Sequence, residues 1–153
     1  MSAEAALQII KEYYLELIPF NKVLGINIDD LDYKTGQAIT SFKMTKDLIG
    51  NSIAGVLHGG VTASIIDLTG GLSASISCVK LNEGKTLDII RKKVTSSATI
   101  DMRVDYLRPG KGKSFKCKSR IIRAGSRIVV AKIDLYNEIT TRIATGTATY
   151  LIT

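Results

Sequence analysis

At 153 residues, 45% of them hydrophobic, the chain has the length of one domain, spanning 1–153, and can bury about two-thirds of the surface its unfolded form exposes. Twenty-one Lys and Arg against fourteen Asp and Glu leave +7, which favours an anionic partner: nucleic acid, a membrane surface or a phosphorylated small molecule. The two cysteines, Cys78 and Cys117, make neither a CxxC pair nor a disulfide framework, so a reducing compartment such as the cytoplasm and two small core residues are expected.

The first residues lack a basic run followed by an apolar one, so no secretory signal is read there. Leu7, Ile10, Tyr14 and Leu17 recur at steps of three and four, which predicts an amphipathic helix over 3–18. Ser2 caps it and Pro19 stops it, giving an N-terminal helical extension over 1–20. Over 24–44 two short apolar runs flank Tyr33-Lys34-Thr35-Gly36, the pattern of a hairpin. Residues 45–57 show no period and read as a loop.

Residues 48–79 organise the chain. They carry one formally charged side chain, Asp67, and the only histidine, His58. An unpaired buried charge costs several kcal/mol in practice, roughly, so Asp67 must be paired, hydrogen-bonded or put to use. From 59 to 78, Val61, Ile65, Leu68, Leu72 and Ile76 form one face and Ala63, Gly70, Ala74 and Cys78 a second face of small side chains. A helix apolar on nearly every side is wrapped by other elements rather than laid on a surface. Its glycines, Ser/Thr content and central Asp67 fit a buried helix better than a membrane span.

Residues 80–97 are polar and basic and read as an excursive loop. Four strand-like runs follow, over 100–106, 115–120, 127–137 and 142–152, with Pro109-Gly110 and Gly125 among the turn signals. By alternation Thr99 shares the polar side of its strand with Asp101 and Arg103. The order helix, two strands, long buried helix, four strands predicts an α+β domain whose sheet curls around one helix.

Three motifs stand in order along 24–153: Gly55-x-x-His58-Gly59-Gly60 with Asp67 nine residues after the histidine; the run from Thr99 through Asp101, Tyr106 and Pro109 to Gly110; and Ala144-Thr145-Gly146-Thr147-Ala148-Thr149-Tyr150. Together they resemble the PaaI-like acyl-CoA thioesterases of the hotdog superfamily. The resemblance implies a hotdog fold, an antiparallel curved sheet around a long central helix, in obligate homodimers that often pair into tetramers. It also implies hydrolysis of acyl-CoA without metal or organic cofactor. Asp67 would act as general base or nucleophile, the Gly59 N–H would meet the thioester oxygen, and His58 would support that loop and position the thioester. Gly60 would join the substrate contacts, and Thr99 would help hold the attacking water. The family places Asn six residues before the histidine; here Ser52 stands there and Asn51 one position earlier, so either serves or the function is weakened.

The residues agree with that chemistry. The first turn of a helix presents unpaired N–H groups at its positive end, suited to a developing oxyanion. Nine helical residues turn the chain by about 900° and advance it about 13 Å, so His58 and Asp67 do not readily meet within one chain. A two-fold axis that brings His58 and Gly59 of one copy to Asp67 of another solves this. Coenzyme A phosphates need cations, and Arg108, Lys111 and Lys113, at the Pro-Gly turn, and Arg123 and Arg127, at the next, are candidates. A non-catalytic acyl-CoA-binding or regulatory protein is the alternative, and a hotdog dehydratase a weaker one. Nucleic-acid binding rests on charge alone, with no recognisable motif.

Overall fold

The computed structural model describes residues 2–153. Helix α1 (Ala3–Glu12) begins with Ser2 Oγ accepting from the Ala5 N–H at 3.2 Å, as the sequence predicts. The helix then widens into a π-helical turn, Tyr13–Leu17, and Pro19 opens a second short helix, α2 (Pro19–Leu24), instead of ending the extension. A π turn holds one more residue than an α turn, so the three-and-four spacing loses phase. Ile10 and Tyr14 are buried, whereas Leu17, expected on the same face, is 62% exposed.

Strands β1 (Asn27–Asp32) and β2 (Gln37–Lys43) form the expected hairpin. Asp32 Oδ1 accepts from the Lys34 and Thr35 N–H groups, and Gly36 supplies the positive φ that closes the turn. The stretch read as a loop over 45–57 holds a 3-10 turn (Lys46–Leu48) and two short strands, β3 (Ile49–Asn51) and β4 (Val56–Leu57).

Helix α3 (Gly59–Leu81) touches all six strands of the main sheet, whose order is β1-β2-β6-β7-β8-β5 and whose every pairing is antiparallel. Strands β5 (Ala98–Tyr106), β6 (Ser114–Ala124), β7 (Ile128–Asn137) and β8 (Arg142–Leu151) follow it in the chain. This is the α+β arrangement expected, a sheet wrapped on one helix. By length and hydropathy α3 could cross a membrane, and it is instead the core of the fold, 72% buried over its most apolar window.

The hydroxyls of α3 do not go unsatisfied inside that core. Thr69 Oγ1 donates to the Ile65 carbonyl at 2.7 Å and accepts from Thr40 on β2 at 2.7 Å. Ser119 on β6 donates to the Thr69 carbonyl at 2.9 Å and also meets Ser73. Each bond removes a desolvation cost of about 1–3 kcal/mol.

Residues 80–97 are not the loop their charge suggested. They contain α4 (Leu87–Thr95), with Ile90 and Val94 buried one turn apart against α1 and α3 and Arg91 and Lys92 exposed. Both cysteines are free and buried, and burial pushes the Cys117 thiol up to about 12.

Candidate active site

Asp67 lies on the third turn of α3, half-buried. Thr99 Oγ1 donates to its Oδ1 at 2.7 Å. Tyr150 Oη donates to its main-chain carbonyl at 2.8 Å. Among the described residues no cation pairs with it. One hydroxyl holds the carboxylate, and the rest of its acceptor capacity opens into a cavity of about 270 Å³ shared with Tyr13, Ile18, Phe20 and Leu68.

Thr99 reaches Asp67 because the alternation breaks. Between Thr99 and Asp101 the β5–β8 ladder slips by one residue, so Thr99 stands opposite Tyr150 and Asp101 opposite Thr149. Ile100 is the extra residue of a bulge. Thr99 therefore shares the helix-facing side with Tyr150, and the parity that grouped it with Asp101 and Arg103 is wrong. Tyr150 was missed as a site residue, although Gly70 hints at it: a Cβ there would strike the Tyr150 hydroxyl. Burial raises the Tyr150 phenol above its ordinary range, and the nearby Asp67 charge adds to the shift.

The second group of expected residues gathers at the start of α3. His58 is the N-cap, and its Nδ1 accepts from the Gly60 N–H at 2.8 Å. That bond leaves the proton of a neutral ring on Nε2 and engages the Gly60 donor, so Gly60 offers substrate no free main-chain N–H. The His58 carbonyl takes the Val61 and Thr62 N–H groups. Among the described residues no acceptor takes the Gly59 N–H. Tyr106, at the far end of β5 from Thr99, donates to the Gly59 carbonyl at 2.9 Å. Gly50 must lack a side chain here, since a Cβ would stand 2.6 Å from His58 Cα.

Asn51 ends β3, opposite Val56, and Ser52 opens the turn to β4. Asn51 Oδ1 accepts from the Ile53 and Ala54 N–H groups at 3.1 and 3.0 Å, so it shapes this turn, while Ser52 is exposed. Gly59, Tyr106 and Arg108 line one cavity of about 430 Å³, and Arg108 and Lys111 line another of about 440 Å³. Lys113 is tied through its main-chain N–H to Glu138 at 3.0 Å, and its side chain lines neither space. A larger cavity, about 600 Å³, lies against β2, β6 and β7 with Lys43, Lys116, Lys118 and Tyr136, and contains neither Asp67 nor Gly59. Within one chain the expected residues thus fall into two separate groups, one at Asp67–Thr99–Tyr150 and one at His58–Gly59–Tyr106.

Residues 54–144 match the model of the thioesterase superfamily. The chain belongs to the thioesterase superfamily. This thioesterase is 38% identical over 152 residues to YigI of Escherichia coli K12, a medium/long-chain acyl-CoA thioesterase, covering 99% of this chain and 97% of that one. It superposes with a TM-score of 0.93, at 38% identity and 99% and 97% coverage, on a crystal structure from Shewanella oneidensis related to the thioesterase superfamily. The E. coli PaaI structure shares its fold, at a TM-score of 0.78 and 18% identity over 99% of this chain and 96% of that one. The hotdog fold and the membership implied by the three motifs are both met.

Proposed function

We propose that the protein hydrolyses acyl-CoA thioesters to the free acid and coenzyme A, in a site shared between two copies of the chain. The observation that carries the reading is Asp67: a carboxylate oriented by one hydroxyl bond, without a cation partner among the described residues, and open to a cavity. In that role Asp67 takes a proton from water, whose oxygen adds to the thioester carbon, or attacks that carbon itself. The C–S bond then breaks and the sulfur leaves as coenzyme A, taking up the proton that Asp67 accepted; on the nucleophilic route the acyl group stays on Asp67 as an anhydride, which water hydrolyses to the free acid. Thr99 spends its proton on Asp67, which leaves its oxygen lone pairs to accept from the attacking water.

The Gly59 N–H is the oxyanion donor in this account. It lies at the positive end of a helix of 23 residues, and loss of such a donor costs about 3–4 kcal/mol in the transition state. His58 holds the turn that presents it, and Arg108, in the same cavity, and Lys111 meet the coenzyme A phosphates. The kinship with YigI supports acyl-CoA as the substrate class.

The position of β5 supports sharing. This strand is a sheet edge with a row of unpaired main-chain groups, and Ile100 and Tyr106 on it are more than half exposed. Two β5 strands paired antiparallel about a two-fold axis bring the Thr99 end of one copy to the Tyr106 end of the other. Asp67 of one copy then faces Gly59 of its partner, and the dimer has two equal sites. The deciding assay is free-thiol release across a panel of acyl-CoAs with Asp67→Asn, a nearly isosteric change. The variant should melt like the parent and lose turnover by roughly 100-fold or more; retained turnover would remove Asp67 from this role.

A further inference from the structure

We infer that the N-terminal π-helical turn is the acyl-length gauge of this enzyme, with Ile18 and Phe20 as specificity-determining residues and Asn21 as the residue that fixes the wall they form. The inference rests on the proposed role of Asp67.

The reacting carbon must sit beside Asp67, so the acyl chain beyond it has to go where room adjoins that carboxylate. The cavity of about 270 Å³ is that room. Its far wall comes from the N-terminal segment, through Tyr13, Ile18 and Phe20, and the coenzyme-facing cavity at Gly59 and Arg108 lies in the other half-site. An aliphatic chain suits a wall of aromatic and branched side chains.

The wall's shape has a local cause. In a π turn the Tyr14 carbonyl would accept from the residue five positions on, which is Pro19 and has no N–H. Asn21 substitutes: its Nδ2 donates to the Tyr14 carbonyl at 2.9 Å. Asn21 is 4% exposed, and its main-chain N–H and carbonyl are bonded to Ile18 and Ile26. Tyr14 is anchored in turn by Ser75 at 3.3 Å and lies against Gly71, where a Cβ would come within 2.9 Å of its hydroxyl. The widened turn is thus held at Tyr14 through both its carbonyl and its ring, and Ile18 and Phe20 follow from that anchored residue.

The test is the ratio of kcat/KM for decanoyl-CoA to that for butyryl-CoA. Ile18→Trp, which fills the cavity, should lower the ratio by roughly tenfold or more, and Phe20→Ala, at a half-exposed position that tolerates change, should also lower it by removing the ring on which a long chain packs. Val23→Ala, on the same helix but outside the cavity, should leave the ratio as it is. Folded Ile18→Trp and Phe20→Ala proteins with the parent's ratio would overturn the inference; if Ile18→Trp does not fold, Phe20→Ala alone decides. Asp67→Asn should lower both rates together. If it does not, the catalytic reading fails while a shifted ratio still marks the acyl wall.

Discussion

Thr99 and Tyr150 stand directly opposite each other on β5 and β8, and both reach Asp67, one to its carboxylate and the other to its main-chain carbonyl. A single rung of the sheet therefore fixes the position of the carboxylate and the direction in which it points. Thr99→Val keeps the shape and removes the hydroxyl. A hydrogen bond to a charged group is worth about 1.5–3 kcal/mol, so kcat/KM should fall roughly 10- to 100-fold. Thr99 is exposed, and the melting temperature should hardly move; a stability loss with unchanged kinetics would make it a packing residue only.

Asn21→Ala leaves the Tyr14 carbonyl without its donor in a buried setting. The expected cost is about 1–3 kcal/mol, read as a lower denaturation midpoint in urea. Asn21→Asp keeps an oxygen but offers no N–H, and should not restore the midpoint.

Alkaline stability carries its own signature. Burial raises the phenols of Tyr14 and Tyr150 and lifts the Cys117 thiol from 9.0 to about 12. These groups are neutral when protonated and hold their protons more tightly folded than unfolded. Their contribution is complete below about pH 9 and is lost as pH rises through the folded values, because the unfolded chain then binds fewer protons. Urea midpoints should be flat through neutral pH and decline from pH 9 upward. Cys117 should resist alkylation at pH 8 until denaturant is added.

The long apolar stretch with one carboxylate was legible in the sequence, since its glycines, hydroxyls and central Asp67 fit a core helix better than a membrane span, and the alternating runs after it read as strands. What the sequence hid were local shifts of phase. One added residue in the turn at Tyr13–Leu17 rotated Leu17 into solvent, and one at Ile100 brought Thr99 round to Asp67. The first is set by Pro19 and Asn21, a few residues on in the chain, and the second by the pairing of Thr99 with Tyr150 across the sheet. Helix α4 was masked by its lysines, although Leu87, Ile90 and Val94 carry a helical spacing within the charged run. Gly59 and His58 were read in their order along the chain, but the consumption of the Gly60 N–H by the His58 ring depends on a side-chain rotamer that no spacing reports.

The shared site is tested most directly by mixing two inactive proteins, Asp67→Asn and His58→Ala, under conditions that exchange subunits. In a mixed dimer one site combines an intact His58–Gly59 turn from one copy with an intact Asp67 from the other, while the second site carries both changes. Random exchange should therefore restore about a quarter of the parent's acyl-CoA hydrolysis, half the dimers being mixed with one working site each. Mixtures no more active than either variant alone, with subunit exchange verified by mass, would contradict a site built from two chains.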